Sequence, residues 1–126
     1  MQRLIAAAAA CLMAAVPIPS LAHHSFAMFD RTKSVSLHGS VRELQWTNPH
    51  CFIQVLVPDG EAVTEWNIEM HAPLDMYRAG WRPGTFKPGD AVTVVINPAK
   101  DGTHGGSLIS AVGPDGKSLT MTRPQS

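Results

Sequence analysis

The feature that most constrains the fold is a pair of alternating segments joined by a tight turn. In residues 51–57 and 64–70, the residues typical of a buried strand face occupy every second position. These positions are Cys51, Ile53, Val55 and Val57 in the first segment, and Thr64, Trp66, Ile68 and Met70 in the second. A period of two is typical of half-buried β-strands. Pro58-Asp59-Gly60 is a typical turn between them, so the sequence predicts a β-hairpin with one face in a core.

Further strand patterns lie on both sides of this hairpin. Residues 35–46 alternate as well, but the apolar parity changes before Leu44, which predicts a bulge or sharp bend between Gly39 and Glu43. Pro73 suits a first helical turn, and Gly80 suits the end of a short helix. The remaining predicted elements are a fourth strand over 91–96, a fifth over 108–112 and a short last segment around Leu119 and Met121.

This order of elements predicts an all-β domain over residues 35–122. A small five-stranded OB-like barrel has this order, with three meandering strands, one short helix and two more strands. Its first strand is bent. A compact β-sandwich is the alternative. The single helix between strands three and four and the bend in strand one favour the barrel.

The beginning of the chain has the pattern of an export signal. A short basic start is followed by an apolar run over 4–16, and Ser20 and Ala22 occupy the −3 and −1 positions of a cleavage site. The apolar run is too short for a membrane span. We therefore predict a signal peptide over 1–22, a periplasmic protein and an N-terminal segment over 23–34. The alternative, lipoprotein cleavage before Cys11, is disfavoured because Ala8 stands where such sites usually have Leu.

Composition excludes several function classes. The whole chain has 10 basic and 10 acidic residues, and a near-neutral balance argues against a nucleic-acid partner.

Without the leader, Cys51 is the one remaining cysteine, so an internal disulfide is excluded. Cys51 shares its parity with Ile53, which predicts a core position. A blue-copper site is rejected because the usual close Cys-x-His-x-Met run is missing.

The predicted cleavage makes His23 the first residue of the mature protein. An α-amine and an imidazole on one residue form a bidentate chelate for Cu(II), whereas a tetrahedral ligand set would favour zinc. The candidate metal ligands are His23, His24, His50, His104 and Asp101. The first and fourth inter-strand loops of an OB-fold flank its ligand-binding face, so we expect His50 and His104 at one mouth of the barrel. For Asp101 alone, an ordinary turn is the simpler interpretation.

The alternative for the N-terminal histidines is a solvated, disordered tail. Phe26, Met28 and Phe29 count against full disorder, because an apolar cluster would tend to dock on the barrel. His38, inside the first strand, is expected to be structural or exposed.

A second candidate set would bind a ligand without metal. It comprises Asn48, Trp81, Glu69 and His71, with Trp81 expected to be the most exposed of the three tryptophans. Trp66 has the apolar parity of its strand, so core packing is the favoured role for it. Glu69 and His71 are two positions apart on one strand face, for which a solvated polar face is the simpler interpretation.

Several motifs together resemble a group of small exported bacterial proteins catalogued as a domain of unknown function. The resemblance covers nearly the whole mature chain and implies a periplasmic setting without an established activity. The motifs are His23-His24-Ser25-Phe26, Trp46-x-Asn48-Pro49-His50, Trp66-x-x-Glu69, Gly80-Trp81, Lys87-Pro88-Gly89-Asp90 and Asp101-Gly102.

In the logic of its site, the chain is also similar to the small periplasmic copper-binding barrels of the copper-resistance C type. Those proteins use a mature N-terminal His with an Asp and a His from a late loop. Here His23, Asp101 and His104 would correspond. The strands show no recognisable match, so the likeness concerns the site alone.

The sequence thus predicts a periplasmic binding or accessory protein, not an enzyme, whose partner is a metal ion or an unidentified periplasmic molecule. Copper is the expected metal, with zinc as the alternative. A metal-free OB-type ligand- or protein-binding module is the second hypothesis. A copper-dependent oxidative enzyme is the least favoured, because the chain is small and offers no evident extended substrate surface.

Overall fold

A computed structural model describes residues 26–123 of the chain. After a 3₁₀ turn at Phe26–Met28, the chain forms strands and one short helix. The elements are β1 (Val35–Gln45), β2 (Phe52–Asp59), β3 (Ala62–Glu69), α1 (Pro73–Arg78), β4 (Ala91–Pro98), β5 (Gly105–Val112) and β6 (Ser118–Thr120). The predicted hairpin, helix and later strands are all present, with bounds shifted by a few residues.

The sheet closes into the predicted five-stranded barrel. Its strand order is β3-β2-β1-β4-β5, and a parallel pairing of β3 with β5 joins the two ends. β6 adds a short strand to the outside of β5. This closure, together with one short helix between β3 and β4, confirms the OB-like architecture.

β1 lies in the middle of the strand order and pairs with two strands in succession. Residues 35–40 pair with β4, and residues 40–45 pair with β2. The predicted irregularity lies between Val41 and Glu43, where the register with β2 shifts. At Gly39 an added Cβ would lie 2.1 Å from the carbonyl oxygen of Leu56. Only glycine fits this close backbone approach, which explains its position at the bend.

The core fills the barrel with the apolar side chains of every strand. Residues of all five barrel strands and of α1 form one buried cluster. Cys51 is fully buried within it, as its parity predicts. Burial raises the pKa of the Cys51 thiol, so the side chain behaves as a small core residue rather than as a reactive thiolate.

The prediction of an exposed Trp81, in the segment after α1, is wrong. Trp81 is fully buried rather than exposed. Gly80, with φ +99°, reverses the chain after the helix, and the amide of Trp81 donates to the carbonyl of Met76 at 2.9 Å. This cap directs Trp81 into the core, where its indole N–H donates to the carbonyl of Thr120 at 2.9 Å.

Candidate functional site

The first two candidate ligands, His23 and His24, lie outside the described residues, as does the predicted signal peptide. The structure describes the chain from Phe26 onward. Most of the other candidates lie on two loops of the barrel, Glu69 lies on β3, and His71 and Trp81 follow β3 and α1. We name these loops the β1–β2 loop (residues 46–51) and the β4–β5 loop (residues 99–104).

The N-terminal segment is attached to the β4–β5 loop by its backbone. The amide of Lys100 donates to the carbonyl of Met28 at 2.9 Å, and the amide of Asp30 donates to the carbonyl of Pro98 at 2.8 Å. Phe29 forms an isolated bridge with Ala99 and is buried. The expected docking of this segment on the barrel is therefore found from Met28 onward.

His104 lies at the end of the same β4–β5 loop. Its ring contacts Trp66, with 5.1 Å between centroids and an interplanar angle of 56°. The side chain is exposed at the edge of a cavity of about 260 Å³ that Trp66 and Asp59 also line. Within residues 26–123, neither ring nitrogen of His104 has a hydrogen-bond partner, so both remain available to a ligand.

Asp101 precedes His104 in the loop and holds its local turn. Its Oδ1 accepts hydrogen bonds from the hydroxyl of Thr103 at 2.7 Å and from the amide of Thr103 at 3.0 Å. The hydroxyl bond, followed by the amide bond, lowers the pKa of Asp101 below 3.8. The carboxylate is therefore ionised at neutral pH. These contacts are those of an ordinary turn, and within residues 26–123 the Oδ2 atom of Asp101 accepts no side-chain hydrogen bond.

The β1–β2 loop presents a different arrangement. Nδ1 of His50 lies 2.5 Å from Oε1 of Glu69, and both side chains are half-buried. The hydroxyl of Thr47 donates to the carbonyl of His50 at 2.8 Å. Asn48 and Pro49, joined by a cis peptide bond, form the exposed tip of the loop. His50 is thus held by a carboxylate on the neighbouring end of β3.

A buried amide that the sequence did not single out lies on the same outer face. Gln54 of β2 is 9 % exposed, and its Nε2 donates to Oδ1 of Asn67 at 3.2 Å. Its Oε1 has no partner within the described chain. Parity places Gln54 opposite the core residues of its strand, where a polar residue normally meets solvent. Strand parity therefore gives no sign that the Gln54 side chain is buried.

The two histidine positions contact opposite faces of β3. Trp66, the partner of His104, and Glu69, the partner of His50, are three positions apart, so their side chains point to opposite sides of the strand. No three His, Cys, Asp or Glu side chains among residues 26–123 are grouped closely enough to hold a metal ion. His50, Asp101 and His104 therefore do not make a ligand set by themselves.

The remaining members of the metal-free set are also separated. β3 ends at Glu69, so His71 follows the strand and lines a different cavity with Phe29 and Arg31. Trp81, buried in the core, is not accessible to a ligand. Asn48 and Glu69 remain the members that lie at the β1–β2 loop or beside it.

Comparison with protein families gives one match. The pattern of a family of unknown function, DUF6152, matches residues 9–108. The chain belongs to this family. This agrees with the resemblance noted above and adds no activity, ligand or partner. Comparisons with curated proteins and with solved structures give no significant match. Among the described residues, no helix has the length and apolar character needed to cross a membrane.

Proposed function

We propose that this member of DUF6152 is an exported metal-binding accessory protein that holds Cu(II), with Zn(II) as the alternative, at the β4–β5 loop. The proposed ligands are His23 and His24, together with His104 and Asp101 of the loop. The observation that carries the proposal is the backbone attachment of Met28 and Asp30 to this loop.

Attachment limits how far the N-terminal histidines can be from the loop. His24 is four positions before Met28, so at most about 14 Å of extended chain separates their backbones. Met28 itself is bonded to Lys100, the residue before Asp101. The short connection to Met28 would keep the proposed terminal ligands near this loop and would reduce the entropy that metal binding has to overcome.

The chemistry of the loop side chains also supports a cation. Asp101 is ionised, because the bonds from Thr103 lower its pKa. His104 offers ring nitrogens without a hydrogen-bond partner in the described chain. If cleavage follows Ala22, His23 adds an amine and an imidazole. Three nitrogens from His23 and His104, or four with His24, and one carboxylate oxygen suit Cu(II) in a tetragonal arrangement.

The experiment is a Cu(II) titration of the protein purified after export, followed by electron paramagnetic resonance. Mass spectrometry first establishes the mature start, which we expect at His23. We then expect one Cu(II) per chain with a nitrogen-rich type-2 spectrum. One extra alanine before His23, or the substitution His104→Ala, is expected to weaken binding by about tenfold or more, since each removes one ligand.

His38→Gln is the matched control. His38 is an exposed histidine on β1 whose Nδ1 lies 3.0 Å from the hydroxyl of Thr93, away from the β4–β5 loop. Its substitution is expected to leave Cu(II) affinity unchanged. An unchanged affinity in the alanine-extended protein would refute the terminal chelate. A mature start other than His23 would refute it as well.

A second candidate function rests on the His50–Glu69 pair. A metal-free module would use the outer face of β2 and β3, where this pair lies close to the exposed tip at Asn48. OB-folds commonly bind ligands on this face. Chemical-shift changes confined to residues 48–54 and 65–69 on addition of periplasmic small molecules would favour this function over the metal site.

A further inference from the structure

One cavity of the structure is lined by no residue of the β1–β2 loop or the β4–β5 loop. It has a volume of about 380 Å³ and lies between the N-terminal segment, β5 and the chain around Thr120–Thr122. Ligand pockets commonly begin at about 300 Å³. The cavity is therefore large enough for a small organic molecule and does not belong to the proposed metal site.

A gap in strand pairing creates this cavity. β3 pairs with β5 as far as Ser107, and β6 pairs with β5 from Ser110 onward. On this edge of β5, no strand of the described chain pairs with Leu108 and Ile109. This unpaired stretch of β5 forms one wall of the cavity, and Phe29 of the N-terminal segment also lines it.

The charges around the cavity are of one sign. Arg31 lines it, and no aspartate or glutamate does. Within residues 26–123, the guanidinium of Arg31 has no ion pair or hydrogen bond. The neighbouring carboxylate of Asp30 is occupied by the amide and hydroxyl of Thr32 and by Lys33 at 3.5 Å. Arg31 therefore presents an uncompensated positive charge.

The rest of the lining is partly apolar and partly polar, and the polar side chains are His71, Asn97, Ser107, Thr120 and Thr122. Phe29 and Leu108 are buried, Ile109 is 38 % exposed, and Met121 is half-buried. Ser107 adds a hydroxyl that makes no hydrogen bond among the described residues. The walls thus combine an apolar surface with the cation of Arg31 and several polar side chains, which is complementary to an amphipathic anion.

We propose that this cavity binds a small monoanion with an apolar body, of the class of medium-chain carboxylates. Arg31 binds the carboxylate through two parallel N–H donors, the geometry that guanidinium groups prefer, and Ser107 donates to the same group. The apolar chain contacts Phe29, Leu108 and Ile109. The proposal does not depend on the metal site, because it uses none of the proposed metal ligands.

The test is isothermal titration calorimetry of the full exported protein with three probes, namely octanoate, octanol and acetate. We expect octanoate to bind about tenfold more tightly than octanol, because only the anion can pair with Arg31. Acetate is expected to bind about a hundredfold more weakly than octanoate, because it lacks the methylene groups that the apolar wall buries.

Variants separate this site from non-specific binding. Arg31→Gln is expected to remove the preference for octanoate over octanol, and Ile109→Glu is expected to abolish octanoate binding by placing a like charge in the cavity. Arg78→Gln is the matched control, because Arg78 is an exposed arginine on α1 outside the cavity. It is expected to change nothing.

Amide spectra of each variant verify that the fold is intact, and they also locate the ligand. Octanoate is expected to shift the amides of Arg31, Ser107 and Ile109. Equal affinity for octanoate and octanol, shifts confined to other residues, or equal effects of the two arginine substitutions would each overturn the proposal. Because copper is absent from these titrations, their outcome is independent of that of the metal-site experiment.

Discussion

The β1–β2 loop and the β4–β5 loop each end in a histidine, but the two histidines are in opposite chemical situations. His50 is half-buried and held by Glu69. His104 is exposed, contacts Trp66 and has no hydrogen bond on its ring among residues 26–123. A histidine already bound to a carboxylate is fixed in orientation, whereas an uncommitted ring is available to a new partner. The comparison therefore favours the β4–β5 loop as the place where a ligand is gained.

The loops also differ in how the backbone holds them. The β1–β2 loop is tied to the end of β3, since the amide of Cys51 donates to His71 and the amide of Met70 donates to Cys51. The β4–β5 loop depends on the Asp101–Thr103 turn and on the attached N-terminal segment. One loop is thus bonded to a barrel strand, while the other is stabilised partly by residues 28–30 of the N-terminal segment.

The largest effect is expected where both loops depend on the same core. Trp81→Ala is expected to lower the free energy of unfolding by about 3–5 kcal/mol, because it empties a fully buried site. Denaturant unfolding measures the loss. In the native protein the Cys51 thiol is buried and its pKa is raised, so it reacts slowly with a thiol reagent. If both loops are built on one core, Trp81→Ala is also expected to accelerate this reaction.

Leu74→Ala is the control for this experiment. Leu74 is on α1 but is 59 % exposed, and its substitution is expected to change stability by less than about 0.5 kcal/mol. A similar loss in both variants would contradict the assignment of Trp81 as the residue that packs this end of the core.

The next effect separates the two loops. Phe29→Ala is expected to cost about 2 kcal/mol, below the usual loss for a phenylalanine in a core interior, because Phe29 is held outside the barrel strands by an isolated bridge to Ala99. Hydrogen exchange is expected to become faster at Asp30 and Lys100 and to remain unchanged at Cys51. Met28→Ala is the control, since Met28 is 55 % exposed. Faster exchange at Cys51 would show that the loops are not independent.

A smaller effect sharpens the contrast between the histidines. A double-mutant cycle of His50→Ala with Glu69→Ala is expected to give a coupling energy of about 1 kcal/mol, because the pair is in contact and half-buried. The matched cycle of His104→Ala with Glu69→Ala is expected to give a coupling near zero, since their contacts lie on opposite faces of β3. Equal coupling in the two cycles would contradict that placement.

The smallest effect concerns pH and the β4–β5 loop. Because hydrogen bonds from Thr103 lower the pKa of Asp101, the turn is expected to be fully stabilised above pH 3.8 and to weaken as the pH falls through the lowered value. The amide shift of Thr103 measures this transition. Asp101→Asn is expected to abolish it, and a midpoint at or above 3.8 would contradict the assignment.

Most of the barrel follows from local patterns in the chain. Alternation predicted β2 and β3, and the change of parity after Gly39 predicted the irregularity that the register shows between Val41 and Glu43. Cys51 was placed in the core by the same parity. These predictions succeed because strand periodicity and turn chemistry depend on neighbouring residues.

The candidate sites were harder to predict, because they depend on contacts between distant residues. Trp81 was expected at the surface, yet the left-handed conformation of Gly80 turns it inward. Oε1 of Gln54, which has no hydrogen-bond partner within residues 26–123, has no signature in the sequence. The cavity beside Arg31 has none either. Both arise from the way separate strands meet.

The amino-acid sequence by itself determined which segments become strands, which faces of them are apolar and where the first strand bends. Tertiary structure alone decided that His50 meets Glu69, that His104 meets Trp66 and that the N-terminal segment pairs with residues 98–100. The physical reason is that alternation and turn geometry are properties of consecutive residues, whereas register and barrel closure select among many distant partners that the local pattern leaves equivalent.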